Sequence, residues 1–390
     1  MHASTILPNL VGCTVDEGTL LLKKVVGAGG FGKLYHAVDT ESACSSRRSS
    51  WASTNTTSSS SSSTPSSVSM PGVYAVKCLH NSPFYDRERI LHRRVSSHPN
   101  IVTVHQDFTS EEHLFIVMDF HASGDMSFAI ADGLYHRNTP LVKRTFAQIA
   151  EAILFCHDQG VFHRDIKPDN ILVDHDGGNP CLTDFGLATR KTIISSKEAG
   201  SHAYMCPESF EEGFLGPYST SSCDSWALGI TLLNMVTTQG PWHSARPLTD
   251  SRFKSFCADG ETYLLAHHPI SRSLAALLSR FLCVDSNERI SMELFKSEVE
   301  EMEELYMSPV DLRRASVVLK DLAAWVVPGR PAVTDPTVPR LESGAEEEEK
   351  GEGGEGNADE SSDELPSASP AVAKAGKFKR VVRRLRFWRK

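Results

Sequence analysis

The stretch that decides the fold is His163-Arg164-Asp165-Ile166-Lys167-Pro168-Asp169-Asn170, followed downstream by Asp184-Phe185-Gly186. It brings together a carboxylate that can act as a base, a lysine that can meet a phosphate and oxygen ligands for a hard metal ion. That is the equipment for moving a phosphoryl group from a nucleotide to a hydroxyl. Either run alone arises by chance; both in this order and separation rarely do. Asp165 is the candidate base, taking the proton of the acceptor hydroxyl and aligning its oxygen for in-line attack. A carboxylate is a weak base at neutral pH, so its orientation matters more than its proton affinity. Lys167 can neutralise charge on the transferred group, while Asn170 and Asp184 offer oxygens to Mg2+.

Upstream, Gly27-Ala28-Gly29-Gly30-Phe31-Gly32-Lys33-Leu34 fits a GxGxxG pattern. Leu20, Leu22 and Val25 or Val26 precede it in β-like alternation, and Lys33 to Val38 resumes that alternation, so the glycines lie in a hairpin. A dinucleotide site needs a helix opening at the third glycine and a later ribose-binding acid. Neither is in place, which excludes a nicotinamide oxidoreductase. Glycines without Cβ instead let backbone N–H groups close over phosphate oxygens. Lys77, closing the strand Tyr74-Ala75-Val76-Lys77, would bind the α and β phosphates if a carboxylate holds it. Glu88 is the candidate partner and Asp86 its competitor. The interval from Lys77 to Glu88 is short for a strand, a turn and half a helix.

The chain has 390 residues and a net charge of -9, with acids dense between Glu342 and Glu364 and a tail from Lys374 to Lys390 without a carboxylate. Its 9 cysteines form no CxxC pair and no even framework, so reduced thiols are expected rather than a zinc ribbon or a disulfide scaffold. Met1 to Val11 lacks the features of a secretory signal, and no apolar run reaches the ~20 residues that span a bilayer. A soluble protein of the cytoplasm or nucleus is expected. The first part reads as strands. Beyond Gly124 the pattern turns helical, with Phe146, Ile149, Ala150, Ile153 and Leu154 on one 3.6-period face, and Trp226 to Val236 and Leu274 to Leu282 repeat it. The expected fold class is α+β, in two lobes.

In this order the chain shows the glycine loop, Ala75-Val76-Lys77, the run at His163, Asp184-Phe185-Gly186, Cys206-Pro207-Glu208, Asp224-Ser225-Trp226-Ala227-Leu228-Gly229 and Arg289. These motifs resemble the eukaryotic protein kinases. The resemblance implies a bilobal fold with a small β-rich N-lobe and a larger helical C-lobe, and an enzyme that uses ATP and Mg2+ to phosphorylate proteins. By its motifs it covers residues 19–302, after an N-terminal extension at 1–18 and with a disordered Ser/Thr-rich insertion at 41–71. A short helix in 303–327, a Pro-rich and acidic linker at 328–373 and a basic amphipathic tail at 374–390 complete the expected organisation.

The resemblance also implies roles for individual residues. Met118 would be the gatekeeper, Asp119, Phe120 and His121 the hinge reading adenine, and Val26, Leu34, Ala75 and Leu172 the apolar walls around its ring. Asp125 would lie near the ribose, Glu208 and Arg289 would form a buried ion pair, and Asp224 would bind the backbone of the catalytic loop. Lys167, with Ser201 at the place that contacts it, resembles the serine/threonine class. The strings Glu88 to Asn100 and Gly200 to Met205 are similar to fungal kinases that regulate meiosis and nutrient response. Cys206 departs from the usual alanine. If the helix carrying Glu88 is truncated, its pair with Lys77 needs an activator. A pseudokinase scaffold, the rival reading, would usually lack Lys77, Asp165 or Asp184, and all three are present.

The resemblance also implies that Arg164 binds a phosphate on Thr189, Thr192, Ser195 or Ser196, or else these are solvated loop hydroxyls. Asp125 and Asp169 resemble positions at which acids in related kinases favour arginine ahead of the target hydroxyl, so the resemblance implies basic substrates. The tail at 374–390 sets Phe378, Val381, Val382, Leu385 and Trp388 at helical spacing among basic residues. It suits an anionic membrane surface, a nuclear-import signal, a nucleic-acid contact or a solvated tail, or it pairs with the acidic stretch of the same chain.

Overall fold

The computed structural model describes residues 7–29, 32–40, 72–110, 112–195, 199–210 and 216–324. The expected insertion at 41–71, the linker at 328–373 and the tail at 374–390 lie outside the described residues, as do Gly30, Phe31 and Ser196.

Period-2 alternation builds the first half. Strands β1 (Thr14–Val15), β2 (Leu20–Gly29), β3 (Gly32–Asp39), β4 (Val73–His80), β5 (Val104–Thr109) and β6 (His113–Asp119) form a 6-stranded antiparallel sheet in the order β1-β2-β3-β4-β6-β5. Along β4, Val76 and Cys78 turn to an outer cluster with Tyr35, Ala37 and Val117, while Ala75 and Leu79 turn to an inner one with Ile116 and Met118. Lys77 lies between Val76 and Cys78, so the same alternation points it inward.

Helix α1 (Pro83–Val95) starts just after β4, with Asn81 and Ser82 as the link and Pro83 at its first position, where a missing N–H costs nothing. This early start places Glu88 within the helix despite the short interval. Glu88, Leu91, His92 and Val95 recur on one buried face. Leu91 and Val95 join the core of the helical half, so α1 belongs to both halves of the fold.

The helical half contains α2 (Met126–Ala131), α3 (Thr139–Asp158), α4 (Thr220–Thr237), α5 (Ser251–Ala258), α6 (Gly260–His267), α7 (Arg272–Phe281), α8 (Met292–Glu301), α9 (Pro309–Arg314) and α10 (Val317–Ala323). Phe146, Ile149, Ala150 and Ile153 of α3 are buried as their spacing predicts, and Phe146 meets Phe295 of α8 edge-on at 5.5 Å. Side chains at Ser219, Asp250, Asp259, Ser271, Ser291, Ser308 and Ser316 cap the first turns of α4 to α10. Two short strand pairs, β7 (Ile171–Leu172) with β8 (Cys181–Leu182) and β9 (Ile193–Ile194) with β10 (Tyr218–Ser219), and three 3-10 turns at Pro168–Asn170, Phe185–Leu187 and Pro207–Ser209 complete the described elements. The architecture is the small β-rich lobe and larger helical lobe that the sequence implied. Among the described residues no helix is long and apolar enough to cross a membrane.

Gly32 shows why the glycine pattern is strict at this point. Its φ is +141°, and a Cβ would stand 2.6 Å from the Cys78 carbonyl oxygen, backbone that cannot swing away. Gly32→Ala is expected to cost about 1–3 kcal/mol and to lower the thermal unfolding midpoint. An unchanged midpoint would contradict the close approach of β3 to β4.

Candidate active site

The catalytic loop is held from below. Asp224, near the start of α4, is 1% exposed and accepts the backbone N–H groups of His163 at 2.9 Å and Arg164 at 2.7 Å. This bonding holds Arg164 at a φ of 69°, a left-handed conformation that costs an L-residue energy and needs support. The loop then turns so that Asp165, Lys167 and Asn170 converge. Asp165 Oδ2 accepts from Lys167 Nζ at 2.8 Å and Asn170 Nδ2 at 3.0 Å, and Oδ1 accepts the Ser201 N–H at 3.0 Å. Lys167 also donates to Ser201 Oγ at 2.7 Å. Gly200, at φ +116°, lets Ser201 approach, since a Cβ there would lie 2.8 Å from the Arg164 carbonyl oxygen.

Asn170 and Asp184 are brought side by side by the β7–β8 hairpin, whose ladder continues in a bond from Thr183 N–H to the Asn170 carbonyl at 3.0 Å. Asn170 uses its amide N–H groups on Asp165, which leaves its oxygen as an acceptor. Asp184 adopts a left-handed φ of 62° and receives Lys77 Nζ on Oδ1 at 2.9 Å. Both offer hard oxygens, so the donor set fits Mg2+.

Lys77 meets Glu88 at 2.5 Å as well as Asp184. Burial disfavours its charge, but the two carboxylates outweigh burial and hold the ammonium above its ordinary range. Burial also pushes Asp184 up, and Lys77 overcomes that, so its carboxyl sits below the usual carboxylate range. The helix that carries Glu88 is not truncated, and the pair is formed within the chain. Asp86, the competing carboxylate, pairs instead with Arg89 on the other side of α1. Arg89 and Arg93 both reach Asp107 of β5, clamping the helix to the sheet.

Aromatic rings link these two halves. His92 stacks on Phe185 at 4.6 Å, and His163 meets the same ring edge-on at 4.8 Å. His92 Nε2 lies 2.8 Å from the Val102 carbonyl oxygen and His163 Nε2 lies 3.0 Å from that of Thr183. Burial pulls His92 down to about 4, so the ring is neutral near pH 7 and donates to Val102. His163 stands in the motif and His92 in the helix that follows β4, and the sequence reading gives neither ring a role. The readable signal was that His92 follows Glu88 by one helical turn, on the same buried face.

The nucleotide side is assembled from inner-face residues. Ala75 and Met118 are cross-strand partners, and Leu34, Phe120 and Leu172 pack against their cluster. Val26 is partly buried on β2, and Gly27, Ala28 and Gly29 pair with Leu34, Lys33 and Gly32. Asp119, Phe120 and His121 follow directly at the end of β6. Three assignments need adjusting. Lys33, expected among the nucleotide-binding residues, turns to the outer face and donates to the carbonyls of Leu7 and Pro8, because Leu34 takes the inward position. Asp125 spends Oδ1 on capping α2, accepting the N–H groups of Ser127 and Phe128. Thr189 is buried and bonded to Phe162 through its backbone, which closes it as a phosphate carrier.

Glu208 and Arg289 are joined at 2.5 and 2.7 Å, with side chains 5% and 4% exposed, and the guanidinium lies over Trp226 at 4.8 Å. Cys206 is bonded to Cys223 as a disulfide, against the expectation of reduced thiols throughout. The two are 17 residues apart in sequence, and Arg289, bonded to both Glu208 and Ser222, links the segments that carry them.

A family model described as the protein kinase domain matches residues 67–299. The chain belongs to the protein kinase family. It is similar to the negative regulator of sexual conjugation and meiosis of Schizosaccharomyces pombe, 31% identical over 312 residues that cover 73% of this chain and 60% of that protein. In Saccharomyces cerevisiae it is similar to serine/threonine-protein kinase VHS1, 37% identical over 56% of this chain and 49% of the relative, and to SKS1, 31% identical over 63% and 54%. The chain thus spans about half the length of these relatives, from 49% to 60%. They are fungal kinases, the type that the sequence resembled.

Burial pushes the Asp224 carboxyl up, but His157, His163 and the Arg164 N–H outweigh it and bring it below the usual range. A depressed carboxylate stabilises the fold above its unfolded-state pKa and loses that contribution as pH falls through the folded value. Asp224→Asn is therefore expected to be less stable than wild type at pH 7, by about 2 kcal/mol. The gap should narrow as pH falls below the ordinary carboxylate range. Denaturant unfolding at several pH values checks this, and a gap independent of pH would contradict it.

Proposed function

We propose that this chain is a serine/threonine protein kinase that transfers the γ-phosphoryl group of ATP to protein hydroxyls. The observation that carries the reading is the junction at Lys167, which binds Asp165 at 2.8 Å and Ser201 at 2.7 Å and so ties the base to the segment beside the acceptor. With both carboxylate oxygens held by donors, Asp165 is oriented before substrate arrives. An acceptor hydroxyl gives its proton to Asp165 as its oxygen bonds to the γ-phosphorus; the bond to the bridging oxygen breaks and ADP leaves. Lys77, held by Glu88, meets the α and β phosphates, and Lys167 balances charge on the transferred group. Mg2+, when bound by Asn170 and Asp184, supplies further neutralisation of phosphate charge. The serine/threonine preference is supported by Lys167 with Ser201 and by the names of the fungal relatives.

The test is radiolabelled phosphate transfer by the purified chain beside Asp184→Asn. A loss of about a thousandfold or more is expected, since positioned charges supply much of the catalysis. Equal transfer by both proteins would overturn the reading.

A preference for basic residues ahead of the acceptor is supported by Asp169, which is exposed beside the catalytic loop. A peptide array is expected to show faster transfer when arginine precedes the acceptor serine. No advantage from arginine would end this part of the proposal.

A further inference from the structure

Cys206 and Cys223 have a Cα separation of 5.1 Å, within the range that a disulfide spans without moving the backbone. Other contacts bring them there. Glu208, two residues beyond Cys206, is gripped by Arg289, which also donates to Ser222 Oγ at 2.8 Å, next to Cys223. Arg289 therefore holds the flanks of both cysteines by contacts other than the S–S bond. The Cys206 carbonyl is fixed by Ser209 Oγ at 2.7 Å.

The bond joins two elements that the transfer reaction needs in register. On one side, the Tyr204 and Met205 N–H groups bond back to the Ser201 carbonyl at 2.8 and 3.1 Å, so Cys206 terminates the turn that presents Ser201 to Lys167. On the other, Cys223 directly precedes Asp224, the anchor of the catalytic loop. A cavity between them is lined by Arg164, Asp165, Ser201, Tyr204, Cys206 and Cys223. The disulfide closes this ring covalently. The other described thiols have no disulfide partner: Cys78, Cys156 and Cys181 are buried, with burial holding Cys78 up at about 11, Cys13 and Cys257 are exposed, and Cys283 is partly exposed.

We propose that Cys206 and Cys223 form a thiol-oxidation site, taking a hydroperoxide as oxidant, whose disulfide fixes the Ser201–Glu208 segment against α4 and so sets affinity for the protein substrate. Cys223 is partly exposed and Cys206 is buried, which sets the order of steps. The Cys223 thiolate attacks the hydroperoxide, forming an S–O bond as the O–O bond breaks and an alcohol or water departs. Cys206 then attacks the Cys223 sulfenic acid; the S–S bond forms, the S–O bond breaks and water leaves. The two sulfurs lose two electrons in all, which reduce the peroxide. A dithiol reverses the linkage by exchange. Glu208 lies close enough to both sulfurs to complete a three-ligand cluster, but Arg289 already occupies its carboxylate in the linked form.

The substrate consequence rests on the kinase reading; the ordering of the segment does not. The full chain would be treated with hydrogen peroxide or with a dithiol, alongside Cys206→Ala and Cys223→Ser. Peptide mapping is expected to show the Cys206–Cys223 link after peroxide and its loss after dithiol. Hydrogen exchange over 201–210 and 216–223 should be slower in the linked wild type, with peptide KM several-fold lower and both kcat and ATP KM unchanged. Each variant should show one exchange pattern and one peptide KM under both treatments. Absence of the link, equal exchange in the two wild-type states, or a redox response that survives in either variant would overturn the proposal. So would stoichiometric Zn2+ binding by the reduced chain that either variant abolishes, since the pair would then be a metal site. If no form transfers phosphate but exchange still follows the link, the kinase reading fails and the oxidation site stands.

Discussion

The bonds from the His163 and Arg164 amides to the buried Asp224 carboxylate are the constraint on which the rest of the structure depends. A carboxylate this deep is tolerated because His157 and the two N–H groups satisfy it, and those same donors hold the loop in a conformation that it would not keep alone. From that fixed point the chain delivers Asp165, Lys167 and Asn170 to one place. Each then restrains the others, so the base has its orientation before any acceptor is present.

The same point transmits order to the β lobe. His163, whose amide Asp224 holds, supports Phe185, and Phe185 supports His92 on α1, whose next turn back carries Glu88. Glu88 and Asp184 meet on Lys77, so one ammonium joins the sheet, the helix and the Asp184 turn. The clamp from Asp107 to Arg89 and Arg93 adds an outer tie. Its arginines are partly solvated, and ion pairs of that kind contribute little each, at most about 1 kcal/mol. The inner stack and the buried pair hold the helix; the outer charges trim its angle.

Much of the site was legible because charged groups at set spacings have few other uses. Lys77 meets Asp184, and Asp165 meets Lys167 and Asn170, while Glu88 was separated from Asp86 only by the buried face of α1. Lys33 was misread for a local reason. A glycine pattern marks the backbone that can approach a phosphate, and says nothing about which strand face a following side chain takes. His92 escaped notice because an imidazole within a helix gives no signal until a ring from a distant segment stacks on it. Asp125 combines two demands, and only the start of α2 reveals that capping claims one of its oxygens.

The run from His163 to Asn170 and the Asp184 turn determined by themselves the chemistry and, through their resemblance, the fold, because local spacing dictates which donors and acceptors a short loop can present. Tertiary structure alone decided which partners those groups meet. The pairing of Lys77 with Glu88, the anchoring of the loop on Asp224 and the bond between Cys206 and Cys223 all join residues from separate elements. Their distances follow from how α1 and α4 pack on the remainder of the chain, a property of the whole core that no local pattern encodes.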